Sequence, residues 1–100
     1  MEPIRPAYVY ILGCADGTLY VGWTYQVRRR LRRHNAGHGS RYTRARRPVR
    51  LVYLQRCASR SAAQRRELEI RRLTRAEKLG LIDEKRRARL QDAAAWPAND

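Results

Sequence analysis

Between residues 17 and 66 the chain carries fourteen arginines and not one aspartate or glutamate. A guanidinium presents a flat fork of N–H donors that matches two oxygens of a phosphate. An acid-free stretch this rich in arginine therefore suits a polyanion, and phosphate-rich nucleic acid first of all. The stretch ends at a carboxylate, Glu67. With Ile70 set as the centre of a helix face, Ala63, Leu73 and Glu67 all fall within about 60° of it, whereas Leu68 points away and Glu69 sits at the edge. A carboxylate beside an apolar stripe needs a partner or a cation. Upstream, Tyr10 and Tyr20 stand ten residues apart, Arg30 follows ten residues later, and His34 lies one turn beyond it.

The rest of the composition bounds what these groups can serve. One hundred residues with a net charge of +14 predict a single domain spanning residues 1–100, too small for a Rossmann fold or a barrel. Outside the acid-free window nine basic and nine acidic side chains cancel. All the excess charge is therefore concentrated in the middle. Codon bias explains arginine in place of lysine, but it does not delete every carboxylate from half a chain. The N-terminal run lacks the basic head and apolar core of a signal peptide, and no apolar run approaches the ~20 residues that span a bilayer. Two cysteines make no disulfide framework, which predicts a cytoplasmic protein, nucleoid-associated when bound to DNA. They also lack the C-x₂₋₄-C spacing of a zinc site. A hydrophobic content of 43% argues for a folded core despite the charge.

The elements that must position these groups follow from pattern. Residues 8–12 (YVYIL) read as a buried strand. The Asp16-Gly17 pair then predicts a hairpin turn, and residues 18–23 (TLYVGW) the return strand. Gly22 inside it marks a bulge or a close approach to the backbone. Tyr8 and Tyr10 share one strand face, as do Tyr20 and Gly22. Thr24 is expected to cap a helix running to about Ala36, with Gly37 as its stop. Arg30 and His34 share a side of that helix. Residues 38–48 (HGSRYTRARRP) predict a surface loop, and residues 49–54 a third strand. Ser59 or Ser61 opens the helix carrying Glu67. Thr74 and Glu77 form a capping box for a short third helix, and Asp83 is expected to cap a last one to about Ala95, with order ending at Trp96-Pro97. The sum is an α+β fold of order ββαβα plus C-terminal helices, built on a small three-stranded antiparallel sheet.

Taken together, these residues resemble a known family. The strand pair reads Val9-Tyr10-Ile11 and Tyr20-Val21-Gly22, Arg30 stands on the helix that follows, and Glu67 on a later one. The chain resembles the GIY-YIG nuclease domain from about Ala7 to Ile82, leaving a C-terminal helix and tail over 83–100. It is most similar to small stand-alone bacterial members, which share the runs CADGTLYVG, RLRRHNAG and SRYTRxRRP. Three positions depart from the pattern. Tyr8 takes the place of the leading glycine, Val21 that of isoleucine, and Trp23 stands where many members place a small or basic residue.

The resemblance implies a metal-dependent endonuclease that hydrolyses DNA phosphodiesters. Carried over residue by residue, it implies Tyr10, Tyr20 and Arg30 as catalytic groups, with Glu67 holding one divalent cation, Mg²⁺ or Mn²⁺. A phenol with a pKa near 10 is a poor base at neutral pH unless a cation favours the phenolate; the arginine-rich surroundings are expected to supply that bias. His34, facing the same cleft, would help move the proton of the attacking water. A hard cation suits one carboxylate plus phosphate oxygens and waters.

Arg28, Arg29, Arg32 and Arg33 on the first helix, with Arg41, Arg44, Arg46 and Arg47 in the loop, read as phosphate contacts that position a strand without reading its sequence. Tyr42 and Trp23 are candidate stacking platforms for bases. With no appended sequence-reading module, a structure- or strand-selective enzyme for single-stranded or flapped DNA is expected, without an obligate protein partner or a membrane, and RNA remains open as a substrate. Plainer readings stand beside these. Tyr8, Tyr10, Tyr20 and Tyr53 are also ordinary sheet-core aromatics, Glu67 an ion-pair partner for Arg30 or Arg66, and His34 a structural histidine. The alternative for the whole chain is a non-catalytic nucleic-acid-binding module that keeps the fold and the basic groove.

Overall fold

The computed structural model describes residues 5–91. Its elements are β1 (Ala7–Gly13), β2 (Leu19–Thr24), α1 (Val27–Asn35), α2 (Arg41–Arg44), β3 (Arg50–Cys57), α3 (Arg60–Arg71) and α4 (Arg75–Gln91). The strands form one antiparallel sheet in the order β2-β1-β3. The α+β architecture and the ββαβα order match the sequence pattern.

Period-two alternation on β1 divides the core into two layers. Val9 and Ile11 face one side, where they pack with Val21, Tyr53 and the buried Ala63 and Ile70 of α3. Full burial of a side chain such as Ile70 stabilises by roughly 1.5–3 kcal/mol, and Leu81 and Ile82 of α4 extend the same layer. Leu68 is 46% exposed, as its place on the helix predicted. Tyr10 and Leu12 face the other side, against Cys14, Val49 and Leu54, with Val27 and Leu31 of α1 closing over them. Tyr53 is thus a core residue, its hydroxyl donating to Gln55 Oε1 at 2.9 Å. A register shift between Ile11 and Leu12 lets β3 keep both layers filled.

The β1–β2 turn forms where Asp16-Gly17 placed it. Gly17 N–H donates to the Cys14 carbonyl and Cys14 N–H to the Thr18 carbonyl, each at 2.9 Å, with Gly17 at φ +85°. Ser59 caps α3 by accepting from Ala62 N–H at 3.2 Å. Thr74 and Glu77 exchange the two bonds of a capping box, at 2.9 and 3.2 Å.

Three local expectations are corrected. Helix α1 begins at Val27 after Gln26, not after Thr24; the Thr24 hydroxyl instead accepts from Gln26 N–H at 3.1 Å, a local turn that competes with capping. Its end is as expected, at Asn35, with Gly37 at φ +88°. The run 38–48 is not all loop, because Ser40 accepts from Thr43 N–H and starts the one-turn α2. Asp83 starts no new helix: α4 runs unbroken to Gln91, and Asp83 pairs with Arg87 at 2.9 Å one turn on. The expected order-ending Trp96-Pro97 lies outside the described residues.

Candidate functional site

The site grows from one close approach. Tyr10 on β1 pairs with Gly22 on β2, and the Tyr10 side chain lies flat across the space a Gly22 side chain would fill. A Cβ built on Gly22 would stand 2.5 Å from the Tyr10 hydroxyl oxygen. Of the two readings of that glycine, close approach is the correct one. The ring thereby reaches α1, where its hydroxyl meets His34 Nε2 at 3.1 Å and comes under the charge of Arg30. Tyr20 completes an aromatic group: ring centroids lie 6.5 Å apart for Tyr10–Tyr20 and 5.2 Å for Tyr20–His34.

Helix α2 holds His34 from behind. Thr43, fully buried, places Oγ1 2.8 Å from His34 Nδ1. Thr43 also donates to the Ser40 carbonyl at 3.4 Å. This arrangement makes Nδ1–H the donor to Thr43 and Nε2 the acceptor of the Tyr10 hydroxyl hydrogen. Gly39 is needed here too, since a Cβ on it would overlap the His34 ring. Among the described residues no buried side-chain nitrogen or oxygen lacks a partner.

Sequence inspection passed over Ser40, Thr43 and Gly39. Only the S-x-x-T spacing, a capping pattern, pointed to them. Thr43→Val keeps the shape and removes the hydroxyl, leaving His34 Nδ1–H unpaired in the core. The expected loss is about 1–3 kcal/mol of stability, read as a lower denaturation midpoint, whereas Thr43→Ser should recover most of it.

Burial sets the protonation states. It pushes the Tyr10 phenol well above its ordinary value, Tyr20 adding to the effect and Arg30 opposing it. The arginine-rich setting thus does not make Tyr10 a phenolate; desolvation outweighs it. Burial, and then the charge of Arg30, lowers the His34 pKa, so the imidazole is neutral at pH 7. An unfolded histidine titrates near ~6.5, so below that value the unfolded chain binds a proton that the folded one resists. Stability should therefore fall as pH drops through about 6.5. Urea midpoints at pH 7.5 and 5.5 test this: the midpoint drops at the lower pH, and the drop shrinks in His34→Gln.

Glu67 comes from α3, on the opposite layer. Its side chain is 18% exposed and pairs loosely with Arg71 at 3.9 Å, while its charge is felt at the Tyr10 hydroxyl. Arg66, one of the two suggested partners, bonds instead to Gln55 at 2.9 Å and to Glu69 at 3.4 Å. Arg30 and Glu67 therefore bring opposite charges to the same phenol from the two sides of the sheet. Among the described residues no group of three or more His, Cys, Asp or Glu could cage an ion. A single half-buried carboxylate nevertheless fits Mg²⁺, which keeps several waters and takes one or two carboxylates plus phosphate oxygens.

The other arginines divide. Arg29, Arg30 and Arg33 line a cavity of about 560 Å³ together with Trp23. Arg28 and Arg32 are exposed on the same helix, as are Arg41 and Arg44 on α2. Arg46 is engaged with the fold: Nε meets Asp16 Oδ2 at 3.0 Å, Nη1 donates to the Tyr42 carbonyl at 2.9 Å, and Cζ lies 3.9 Å over the Tyr42 ring. Arg47 likewise donates to the Arg44 carbonyl at 2.9 Å. Tyr42, 38% exposed, has one face under Arg46 and sits 6.0 Å from Tyr20.

Tyr20 and His34 pack about the Tyr10 ring, Arg30 acts on its phenol by charge, and Glu67 stands on the helix of the other layer, all within one small α+β domain. The GIY-YIG catalytic domain model matches residues 6–80, and the chain belongs to the GIY-YIG nuclease family. It is 53% identical over 76 residues to a UPF0213 protein of Syntrophus aciditrophicus, covering 75% of this chain and 87% of that one. A UPF0213 protein of Natronomonas pharaonis is 55% identical over 75 residues, covering 75% and 88%. Among solved structures, the solution structure of the UPF0213 protein BH0048 from Bacillus halodurans is similar at a TM-score of 0.54 and 44% identity, over 80% of this chain and 85% of that one. Among the described residues no helix is long and apolar enough to cross a membrane.

Proposed function

We propose that the protein is a metal-dependent endonuclease that hydrolyses DNA phosphodiester bonds, selecting single-stranded or flapped strands rather than a sequence. The observation that carries this reading is the convergence on the Tyr10 hydroxyl of Arg30 from α1, His34 from α1 and the charge of Glu67 from α3.

Glu67 would hold the cation, which when bound supplies positive charge to a non-bridging phosphate oxygen and to the attacking water. Arg30, whose charge acts on the Tyr10 phenol, would turn its N–H groups to the phosphate and offset charge building on it. Tyr20, half-buried at the cleft, is the phenol placed to meet the water. Tyr10 is neutral and accepts a proton only by passing its own to His34 Nε2, so the two act as one relay. His34, neutral at pH 7, is able to receive it. Arg28, Arg29, Arg32, Arg33, Arg41 and Arg44 supply phosphate contacts that hold the strand. Arg46 and Arg47 serve mainly to brace α2, so their loss would act on the fold before it acts on affinity.

Labelled single-stranded, duplex and flapped DNA, and the same strand as RNA, incubated with Mg²⁺ or Mn²⁺, test this. Cutting of single-stranded or flapped DNA that stops on chelation is the expected result. Steeply salt-dependent binding with no cutting of any substrate would instead establish a binding module.

A further inference from the structure

We propose that the cavity along the outer edge of β2 is a subsite for one unpaired nucleotide, adjacent to the phosphate held at Arg30. This deepens the endonuclease reading and rests on it only for the word "adjacent". β2 is an edge strand, and the cavity, about 560 Å³, opens between it and α1. That volume lies within the ~300–1,000 Å³ typical of small-ligand pockets.

Its chemistry has two halves. Arg29 and Arg33 stand one turn apart on α1, so both face it, and Arg30 lies between them. Facing these are Trp23 and Tyr25, packed edge to face with centroids 5.4 Å apart, and Arg5 stacked 3.9 Å over the Tyr25 ring. Among the described residues no carboxylate lines the cavity. Guanidiniums without a balancing acid call for phosphate, and an aromatic pair calls for a planar ring. A nucleotide carries both, a free anion only the first.

Position connects the subsite to the reaction centre. Arg30 lines the cavity and its charge also acts on the Tyr10 phenol, so a strand lying along α1 meets both. A base can enter only if it is unstacked and unpaired, because a paired base shows neither face to Trp23. The cavity therefore selects unpaired strands without reading sequence. Trp23 becomes the base-facing wall of the cavity.

Trp23 reports on this directly. The chain has two tryptophans, and Trp96→Phe leaves Trp23 as the sole emitter. With no metal present, that variant is titrated with an oligothymidylate, a blunt duplex of equal length and an abasic deoxyribose-phosphate chain of equal length, with anisotropy recording binding. The oligothymidylate should quench Trp23, at a concentration at least about tenfold below any quenching by duplex. The abasic chain should bind without quenching, and Arg33→Ala should weaken the oligothymidylate severalfold. Equal quenching by the abasic chain or the duplex, or binding of the oligothymidylate without quenching, would overturn the subsite, as would no binding at all. Quenching in a protein that never cuts would sink the endonuclease reading and leave the subsite standing; cutting without quenching would do the reverse.

Discussion

Arg30→Ala should fold like the wild type and lose at least about 100-fold of its single-turnover cleavage rate. Arg30 is exposed on α1, so truncating it opens no core cavity. The residue's work is electrostatic. Its charge already acts on the Tyr10 phenol, and a donor aimed at developing charge is worth about 10²–10³ in rate. Affinity should respond far less, since one arginine among many on the face carries one phosphate contact and reduces the salt slope by about one. Arg30→Lys should recover only part of the rate, because it keeps the charge but not the planar fork. Rates on a labelled flap, affinity by anisotropy and a thermal melt separate these effects. A cleavage rate within about threefold of wild type would mean that Arg30 does not touch the reacting phosphate.

Gly22→Ala should damage packing and cleavage together. The new Cβ would stand 2.5 Å from the Tyr10 hydroxyl oxygen and 2.7 Å from Cζ, inside any van der Waals contact. Tyr10 is 2% exposed and sits in the layer closed by Val27 and Leu31, so the ring has nowhere to go without moving its neighbours. Overpacking of this kind costs about 1–3 kcal/mol. Displacement also breaks the hydroxyl's bond to His34, so cleavage should fall with stability, and further than stability alone explains. Gly80→Ala is the control. Nothing lies within 4 Å of its built Cβ, and an exposed helical Gly→Ala stabilises by roughly 0.5–1 kcal/mol. The Gly22 effect should shrink in a Tyr10→Ala background, since the two side chains contend for one space. Equal melting temperatures for Gly22→Ala and wild type would contradict the packing.

What was legible in the sequence was whatever local chemistry decides. Alternating apolar residues gave the strands, Asp16-Gly17 the turn, Ser59 a cap and Thr74 with Glu77 a capping box, each a signal contained within a few residues. Gly22 announced a close approach, though not what approached. The misses are long-range. Nothing near Arg46 announces its bond to Asp16, which lies thirty residues away. Helix α2 has no apolar periodicity, and its single turn exists because Ser40 caps it and Thr43 is drawn under His34. The charge around Tyr10 was visible in the composition, but the burial that raises its phenol arises only once the sheet is covered. Charge confined to the middle of the chain became a groove only when α1 and the edge of β2 were set side by side.

On the proposed function, Glu67 serves the chemistry and not the fold or the affinity. Glu67→Gln tests it most directly, being nearly isosteric and removing only the charge. Single-turnover cleavage of a labelled flap in Mg²⁺, with affinity measured on the same variant in parallel, should give DNA binding as tight as wild type or tighter, and a rate lower by about 100-fold or more. A Glu67→Gln protein that cuts at the wild-type rate would contradict the account.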